Sequence, residues 1–260
     1  MKIRGILNIA AAGTALLVGD VLQRTFLVAA IRLLPRRRHA ILGAWQQALA
    51  RIMLWSARVV GGARYDEIPR IPGGPGTLVL MNHQSVMDIP LVVRALRGTY
   101  PRIVTRERYA HGKPLISHMV RLYQYPTVDP GATVKTSLES LRERAAQSPV
   151  PVVIFPEGTR SRDGSLSKFR KMGLRSILGG REWEVWVVAV DGWWQAAKLT
   201  DFIDNVADVR GRMRVSGPFT SPAPGESTSA FMAEMEREMQ DLFGRISSSS
   251  AEPLPAGEKE

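Results

Sequence analysis

Two short apolar segments constrain this chain most: Thr77–Met81 (TLVLM) and Val150–Phe155 (VPVVIF). Each is rich in β-branched or large apolar residues, bounded by turn-forming residues, and too short for a helix, so each reads as a buried strand. Patterned segments alternate around them. Val86–Leu96 reads as a helix, Arg102–Thr105 as a strand, Leu115–Leu122 as a helix and Tyr125–Val128 as a short strand. Ala132–Ala146 is an amphipathic helix with apolar residues at 134, 138 and 141. Lys171–Leu178 follows as a helix, Glu184–Val190 and Arg212–Ser216 as strands, and Ser227–Phe243 as a closing helix. This rhythm predicts an α/β fold with a mixed, mostly parallel sheet flanked by helices. In such sheets, function gathers in the loops after the carboxyl ends of the strands.

The first 60 residues differ in kind. Gly5–Gly19 is uncharged, Asp20, Gln23 and Arg24 interrupt it, and Thr25–Leu34 is apolar again. The three polar positions share one sector of a helix, with Asp20 and Arg24 spaced as an i,i+4 pair. Pro35 ends the helix and Arg36, Arg37 and Arg38 follow. Ala40 to Val60 reads as a second, amphipathic helix, with Trp45 and Trp55 as interface anchors and Arg51 and Arg58 as snorkelling cations. A cleaved signal peptide, a single span over 5–34, and an apolar helix packed on its own domain are alternatives. The favoured reading is a membrane-immersed hairpin or interfacial helix pair. The chain thus divides into a membrane-associated helical segment (1–60), an α/β domain (61–246) and a low-complexity disordered tail (247–260).

Charge supports this division. The net charge is +11, but residues 1–64 hold ten Lys/Arg against one acid, and residues 221–260 hold three against eight. Basic charge beside apolar helices suits an anionic membrane better than a nucleic acid, for which no motif is present. Zero cysteines exclude a disulfide scaffold, a thiol nucleophile and a Cys-ligated zinc, and four histidines make a His-rich metal site a poor fit. There is no serine-hydrolase elbow, P-loop, dinucleotide fingerprint or zincin motif.

The chemistry-bearing segments directly follow the two strands. After TLVLM comes NHQSVMD, Asn82–Asp88. On a continuous helix His83 and Asp88 would diverge by about 140°. They meet only if His83 lies in the loop and Asp88 one turn into the next helix, with Ser85 as a candidate N-cap. An Asp accepting from one imidazole nitrogen fixes the tautomer and makes the other nitrogen a general base. The same spacing also fits a loop histidine beside a helix-capping aspartate. After VPVVIF comes FPEGTRS, Phe155–Ser161, where Pro156 and Gly158 shape a turn, Glu157 and Arg160 supply both charges, and Thr159 and Ser161 supply hydroxyls. Arg160, with Lys168, Arg170 and Lys171 beyond it, would make a cationic pocket for an anion. The alternative is an exposed basic loop with an Arg–Glu pair.

As an ordered pair about 70 residues apart, NH-x4-D and F-P-E-G-T-R-S resemble the glycerolipid acyltransferase family, typified by 1-acyl-glycerol-3-phosphate acyltransferases. KFRKMG (Lys168–Gly173) and RVSGP (Arg214–Pro218) extend the likeness, which runs from about Trp45 to Phe243. The resemblance implies that His83, oriented by Asp88, takes the proton from an acceptor hydroxyl as it attacks an acyl thioester. It further implies that Glu157, Gly158, Thr159 and Arg160 bind the acceptor's polar head, and that no metal, cofactor or acyl-enzyme is used. The donor would be acyl-CoA or acyl-carrier protein, the acceptor a lysolipid, and the place the cytoplasmic face of a bacterial inner membrane, reached peripherally or by one span.

Three departures bear on the acceptor. Pro130 falls where the family often has an Arg, Val187 stands where a Pro is expected in the later strand (Val187–Gly192, VVAVDG), and Arg106 in TRERY is the nearest match to a family Lys. Lysophosphatidate is therefore the first acceptor, with another lysophospholipid or lyso-ornithine lipid as rivals and a non-catalytic lipid-binding protein as the reading from another class. His39 reads as part of a solvated basic cluster, and His111 and His118, without a matching carboxylate, as structural. Trp183, Trp186, Trp193 and Trp194 read as core, with Trp193 and Trp194 also able to line an acyl tunnel or touch the membrane.

Overall fold

The computed structural model describes residues 2–128 and 133–248. It begins with α1 (Lys2–Leu22), a π-helical turn (Gln23–Leu27), α2 (Val28–Leu33) and α3 (Arg38–Trp55), which ends in a second π-helical turn (Ser56–Val60). Then come β1 (Arg64–Tyr65), β2 (Thr77–Met81), α4 (Asp88–Ala95), β3 (Arg102–Ile103), β4 (Thr105–Arg106), α5 (Ile116–Leu122) and β5 (Thr127–Val128). The second half holds α6 (Val134–Ala146), β6 (Val152–Ile154), α7 (Lys171–Leu178), β7 (Glu184–Asp191), α8 (Phe202–Asn205), β8 (Arg210–Thr220) and α9 (Ser229–Ser248).

Six strands form the main sheet in the order β1-β8-β7-β2-β6-β3. All neighbours run parallel except β7 and β8. The expected mixed, mostly parallel sheet is therefore present. Every residue of β2 is buried, as a strand with helices on both faces requires. Its side chains alternate. Leu78 and Leu80 join Val152, Ile154, Val185 and Val187 in a core with Leu141 of α6, Leu174 of α7 and Met235 of α9. Val79 and Met81 join Val153, Val188 and Val190 in a second core with Leu42 and Leu54 of α3 and Leu91 of α4. Trp183 and Trp193 are core residues, each 1% exposed.

Three elements differ from the sequence reading. The strand expected over Arg102–Thr105 divides at Val104: β3 stays in the main sheet, while β4 pairs with β5 in a separate parallel pair. The last strand is longer than expected because β8 holds its antiparallel register with β7 from Arg212 to Thr220 across a bulge. The closing helix runs on to Ser248, so Ser247 and Ser248 belong to α9 rather than to a tail; residues 249–260 lie outside the described residues.

The N-terminal helices lie against the domain rather than apart from it. Gly5, Asn8, Ala12, Gly19, Gln23, Leu27 and Ile31 form one buried stripe at helical spacing. Asn8, Asp20, Gln23 and Arg24 of this apolar segment all find partners. Ser56 donates to Asn8 at 2.8 Å, Trp45 donates to Gln23 at 3.1 Å, and Gln23 donates to His118 at 2.8 Å. Asp20 accepts from Arg24 and from the Leu115 amide, each at 2.9 Å, so the expected i,i+4 pair also ties α1 to the turn before α5. The opposite face stays bare, with Phe26 72% and Leu33 79% exposed. Lys2–Leu33 is long and apolar enough to cross a membrane. Trp45, expected at an interface, packs against the core, whereas Trp55 is exposed. His39 bonds the Tyr100 hydroxyl at 2.9 Å and stacks on its ring, so it is not simply solvated. His111 has a carboxylate after all, Glu107 at 3.6 Å.

Gly5 permits a close approach of α1 to α8: a Cβ there would stand 2.0 Å from the Ile203 carbonyl oxygen, whereas one on Gly13 would meet nothing within 4 Å. Gly5→Ala should lift α1 from α8 and cost about 1–3 kcal/mol. Gly13→Ala should stabilise by up to about 1 kcal/mol through helix propensity. Thermal denaturation in detergent checks the pair, and equal effects would contradict this docking.

Candidate active site

β2 and β6 are adjacent and parallel, with Leu80 opposite Ile154, so both end at the same edge of the sheet. The loops that leave those ends are bonded to each other. The Ser161 amide donates to the His83 carbonyl at 2.7 Å, and the His83 amide donates to Glu157 Oε1 at 2.8 Å. Two segments distant in the sequence thus become one site.

Asn82 continues β2 with its side chain: Nδ2 donates to the Val190 carbonyl at 2.9 Å and Oδ1 accepts the Val190 amide at 2.7 Å. The next residue leaves the sheet, and α4 starts only at Asp88. The buried Asp88 carboxylate explains that start. Its Oδ2 accepts from His83 Nδ1 at 2.7 Å, from the Gln84 amide at 2.6 Å and from the Ser85 amide at 2.8 Å. Asp88 therefore closes the turn as well as orienting the imidazole. Ser85, expected as N-cap, lies before the helix: its hydroxyl donates to the Ala196 carbonyl at 2.6 Å and accepts the Met87 amide at 3.2 Å. A carboxylate can only accept, so the shared proton sits on Nδ1 and the neutral ring carries its lone pair on Nε2. The imidazole stacks on Phe155 with centroids 4.1 Å apart and keeps 19% of its side chain exposed.

In the second loop, Glu157 is 2% exposed. Both its oxygens accept backbone amides at 2.8 Å, Oε1 from His83 and Oε2 from Ser167. Burial pushes its carboxyl above the usual range, outweighing the downward pull of the Ser167 and His83 amides. Gly158 has φ +69°, the left-handed region, and a Cβ there would stand 2.8 Å from Arg170 Cδ. Arg106 donates to the Gly158 carbonyl at 3.3 Å. Arg160 bonds the Ala197 carbonyl rather than Glu157, so no Arg–Glu pair forms in this loop. Thr159 is exposed beside it. The Tyr109 phenol is pulled below its usual range, first by its hydrogen bond from Arg108, and further by the charges of Arg108, Arg160 and Arg106. Arg106 reaches this loop through the Gly158 carbonyl, and Arg160 lies on it. Pro130 lies outside the described residues.

His83, Asp88, Glu157, Gly158 and Arg106 are thus joined by direct bonds, with Arg160 held on the following loop. Sequence reasoning assigned no role to Asn82 or Gln84, though both are polar residues directly after an apolar strand. Gln84 is buried, donates to Asp191 Oδ1 at 3.2 Å and accepts the Trp193 amide at 3.2 Å, which locks the His83 loop to the end of β7. Among the described residues, no group of three or more His, Asp or Glu converges to hold a metal ion.

Residues 63–179, which contain both loops, match the family model described as Acyltransferase. The fold is similar to that of the 1-acyl-sn-glycerophosphate (LPA) acyltransferase PlsC from Thermotoga maritima. The two are 18% identical, the match covers 94% of this chain and 98% of that chain, and the TM-score is 0.67. No curated protein sequence matches.

Glu157→Gln would turn an amide NH2 toward one of the two backbone donors. It should cost about 1–3 kcal/mol of stability. Because burial raises the Glu157 carboxyl in the folded state, the folded protein binds this proton more tightly than the unfolded chain. The carboxyl's contribution to stability therefore falls as pH rises through the window between its ordinary and its raised value, and is flat above it. Denaturant titrations of wild type and Glu157→Gln from pH 4 to 8 check both the cost and this sign.

Proposed function

We propose that this chain, which carries an acyltransferase-family domain at residues 63–179, is a membrane-bound O-acyltransferase. It moves a fatty acyl group from acyl-CoA or acyl-carrier protein to the hydroxyl of a lysophospholipid, foremost 1-acyl-sn-glycerol-3-phosphate, to give phosphatidate. The observation that carries this reading is the hydrogen bond from His83 Nδ1 to the buried Asp88 carboxylate, in a loop bonded to Glu157 of the neighbouring loop.

In this mechanism Nε2 of His83 takes the acceptor hydroxyl proton as the oxygen attacks the thioester carbonyl. The tetrahedral intermediate collapses, the C–S bond breaks, and the leaving thiolate takes the proton back from the imidazolium. Asp88 remains ionised and stabilises that imidazolium, as the carboxylate does in a Ser-His-Asp triad. The acceptor oxygen is itself the nucleophile, so no acyl-enzyme forms. Arg106, Arg108 and Arg160 supply charge for the acceptor's phosphate. Thr159 and the backbone at Gly158 face the same head group. Glu157 serves as a positioning residue, since its oxygens are spent on the His83 and Ser167 amides.

The bare face of α1 and α2, followed by Arg36, Arg37 and Arg38, suits the surface of an anionic bilayer, which we assign to the cytoplasmic face of a bacterial inner membrane. The buried stripe runs from Gly5 to Ile31, so nearly the whole length of these helices is docked on the domain. That favours a helical pair lying in one leaflet over a free single span.

The test is transfer from labelled acyl-CoA and acyl-carrier protein to a panel of lysophosphatidate, other lysophospholipids and lyso-ornithine lipid. His83→Ala should lower turnover about 10²–10⁴-fold while circular dichroism stays unchanged. Near-normal turnover would remove the mechanism. Arg160→Ala should raise KM for lysophosphatidate about tenfold, with a smaller effect on acceptors lacking a phosphomonoester. An effect confined to the donor would contradict its placement at the acceptor head.

A further inference from the structure

A second cationic site lies at the other edge of the sheet. Arg38, His39, Arg102, Gln124, Arg144 and Gln147 line a surface pocket of about 360 Å³. Arg102 opens β3 opposite Val152, and Val152 stands opposite Leu78. His83 is five residues further along β2, so the pocket lies roughly 16 Å from it along the strand direction.

Arg102 is the unusual member. It is 8% exposed, yet no carboxylate pairs with it among the described residues. One arm of its guanidinium donates to Gln124 Oε1 at 2.8 Å, and its Nε is buried with no partner. A guanidinium taken out of water without an acceptor or counter-ion is costly. Here the cost is increased by a second cation nearby: Arg38, itself anchored on the Leu122 carbonyl, faces Arg102. Burial first, and the Arg38 charge after it, push the Arg102 guanidinium below its usual range. His39 is pushed down by burial and then by Arg102 and Arg38. Arg144 adds a third guanidinium at the exposed rim. None of the residues lining the pocket is acidic.

We propose that this pocket binds a phosphate group, with the three guanidiniums of Arg38, Arg102 and Arg144 as its ligands. A tetrahedral oxyanion offers several acceptors to converging planar forks, which a carboxylate or halide would leave unfilled. The pocket adjoins the Arg36–Arg38 turn that follows the exposed Leu33 and Leu34, so a lipid phosphate at a membrane surface can reach it as readily as a soluble one. The proposal does not depend on acyl transfer at His83.

The experiment uses the full chain in neutral detergent, titrated calorimetrically with inorganic phosphate. The same chain is tested for flotation with vesicles of phosphatidylcholine alone or mixed equally with phosphatidylglycerol. Phosphate binding that Arg144→Gln and Arg38→Gln each weaken about tenfold, and Arg237→Gln on the exposed face of α9 leaves unchanged, supports the site with a soluble ligand. A preference for the anionic vesicles lost in the same two variants, without phosphate binding, supports it with a lipid headgroup as the ligand. Arg102→Gln should abolish binding if it folds; Arg144→Gln, on an exposed side chain, keeps the test open if it does not. Binding of both probes unchanged by Arg144→Gln and Arg38→Gln, binding lost only in Arg160→Gln, or no binding of either probe by wild type would overturn the proposal.

Discussion

The parallel pairing of β2 with β6 is the constraint on which everything else depends. Both strands are short, five and three residues, and neither could hold a place in a sheet alone. Their apolar side chains alternate into two helical layers, and this burial fixes the register, because a slip by one residue would turn every side chain to the wrong core. The fixed register sets the two following loops side by side. Moving β6 by one residue would carry Glu157 away from the His83 amide and Ser161 away from the His83 carbonyl, so the geometry of the site is a consequence of core packing.

Within the site, two buried carboxylates divide the work. Asp88 gathers one imidazole and two amides, so the same group that orients His83 also folds the turn before α4. Glu157 clamps the two loops by accepting one amide from each. Arg106, Arg108 and Arg160 are less buried than these carboxylates, which in the proposed reaction leaves them for the acceptor's head. Negative charge is thus spent on architecture and positive charge is left for a ligand. The pocket around Arg102 repeats the second half of that pattern at the opposite edge, without any carboxylate of its own.

Much of this was legible in the sequence, for identifiable reasons. TLVLM and VPVVIF are uniformly apolar and bounded by turns, so their strands and the α/β class could be read directly. His83 and Asp88, five apart across a loop–helix boundary, could be paired because only one local geometry lets them meet. What could not be read depends on distant partners. β1 is two residues long and exists only because β8 lies beside it. The division at Val104 follows from β5 drawing Thr105 and Arg106 out of the main sheet. Glu157 reads from the sequence only as a contact for the acceptor's head, because the His83 amide that it also accepts is 74 residues away. The polar residues of α1 looked like an interruption in an apolar helix, and their use as docking contacts appears only once Ser56, Trp45 and the Leu115 amide are in place.

The central claim is that the buried Asp88 makes His83 a base for acyl transfer, rather than merely capping a turn. Asp88→Asn keeps the shape and one acceptor oxygen while removing the charge that stabilises an imidazolium. The decisive measurement is the turnover of labelled acyl donor with lysophosphatidate by this variant, alongside its thermal stability and its acceptor binding. The account predicts that turnover falls about 10²–10⁴-fold while acceptor binding persists. Turnover within a few-fold of wild type, from a folded variant, would contradict it and leave Asp88 with a purely structural role.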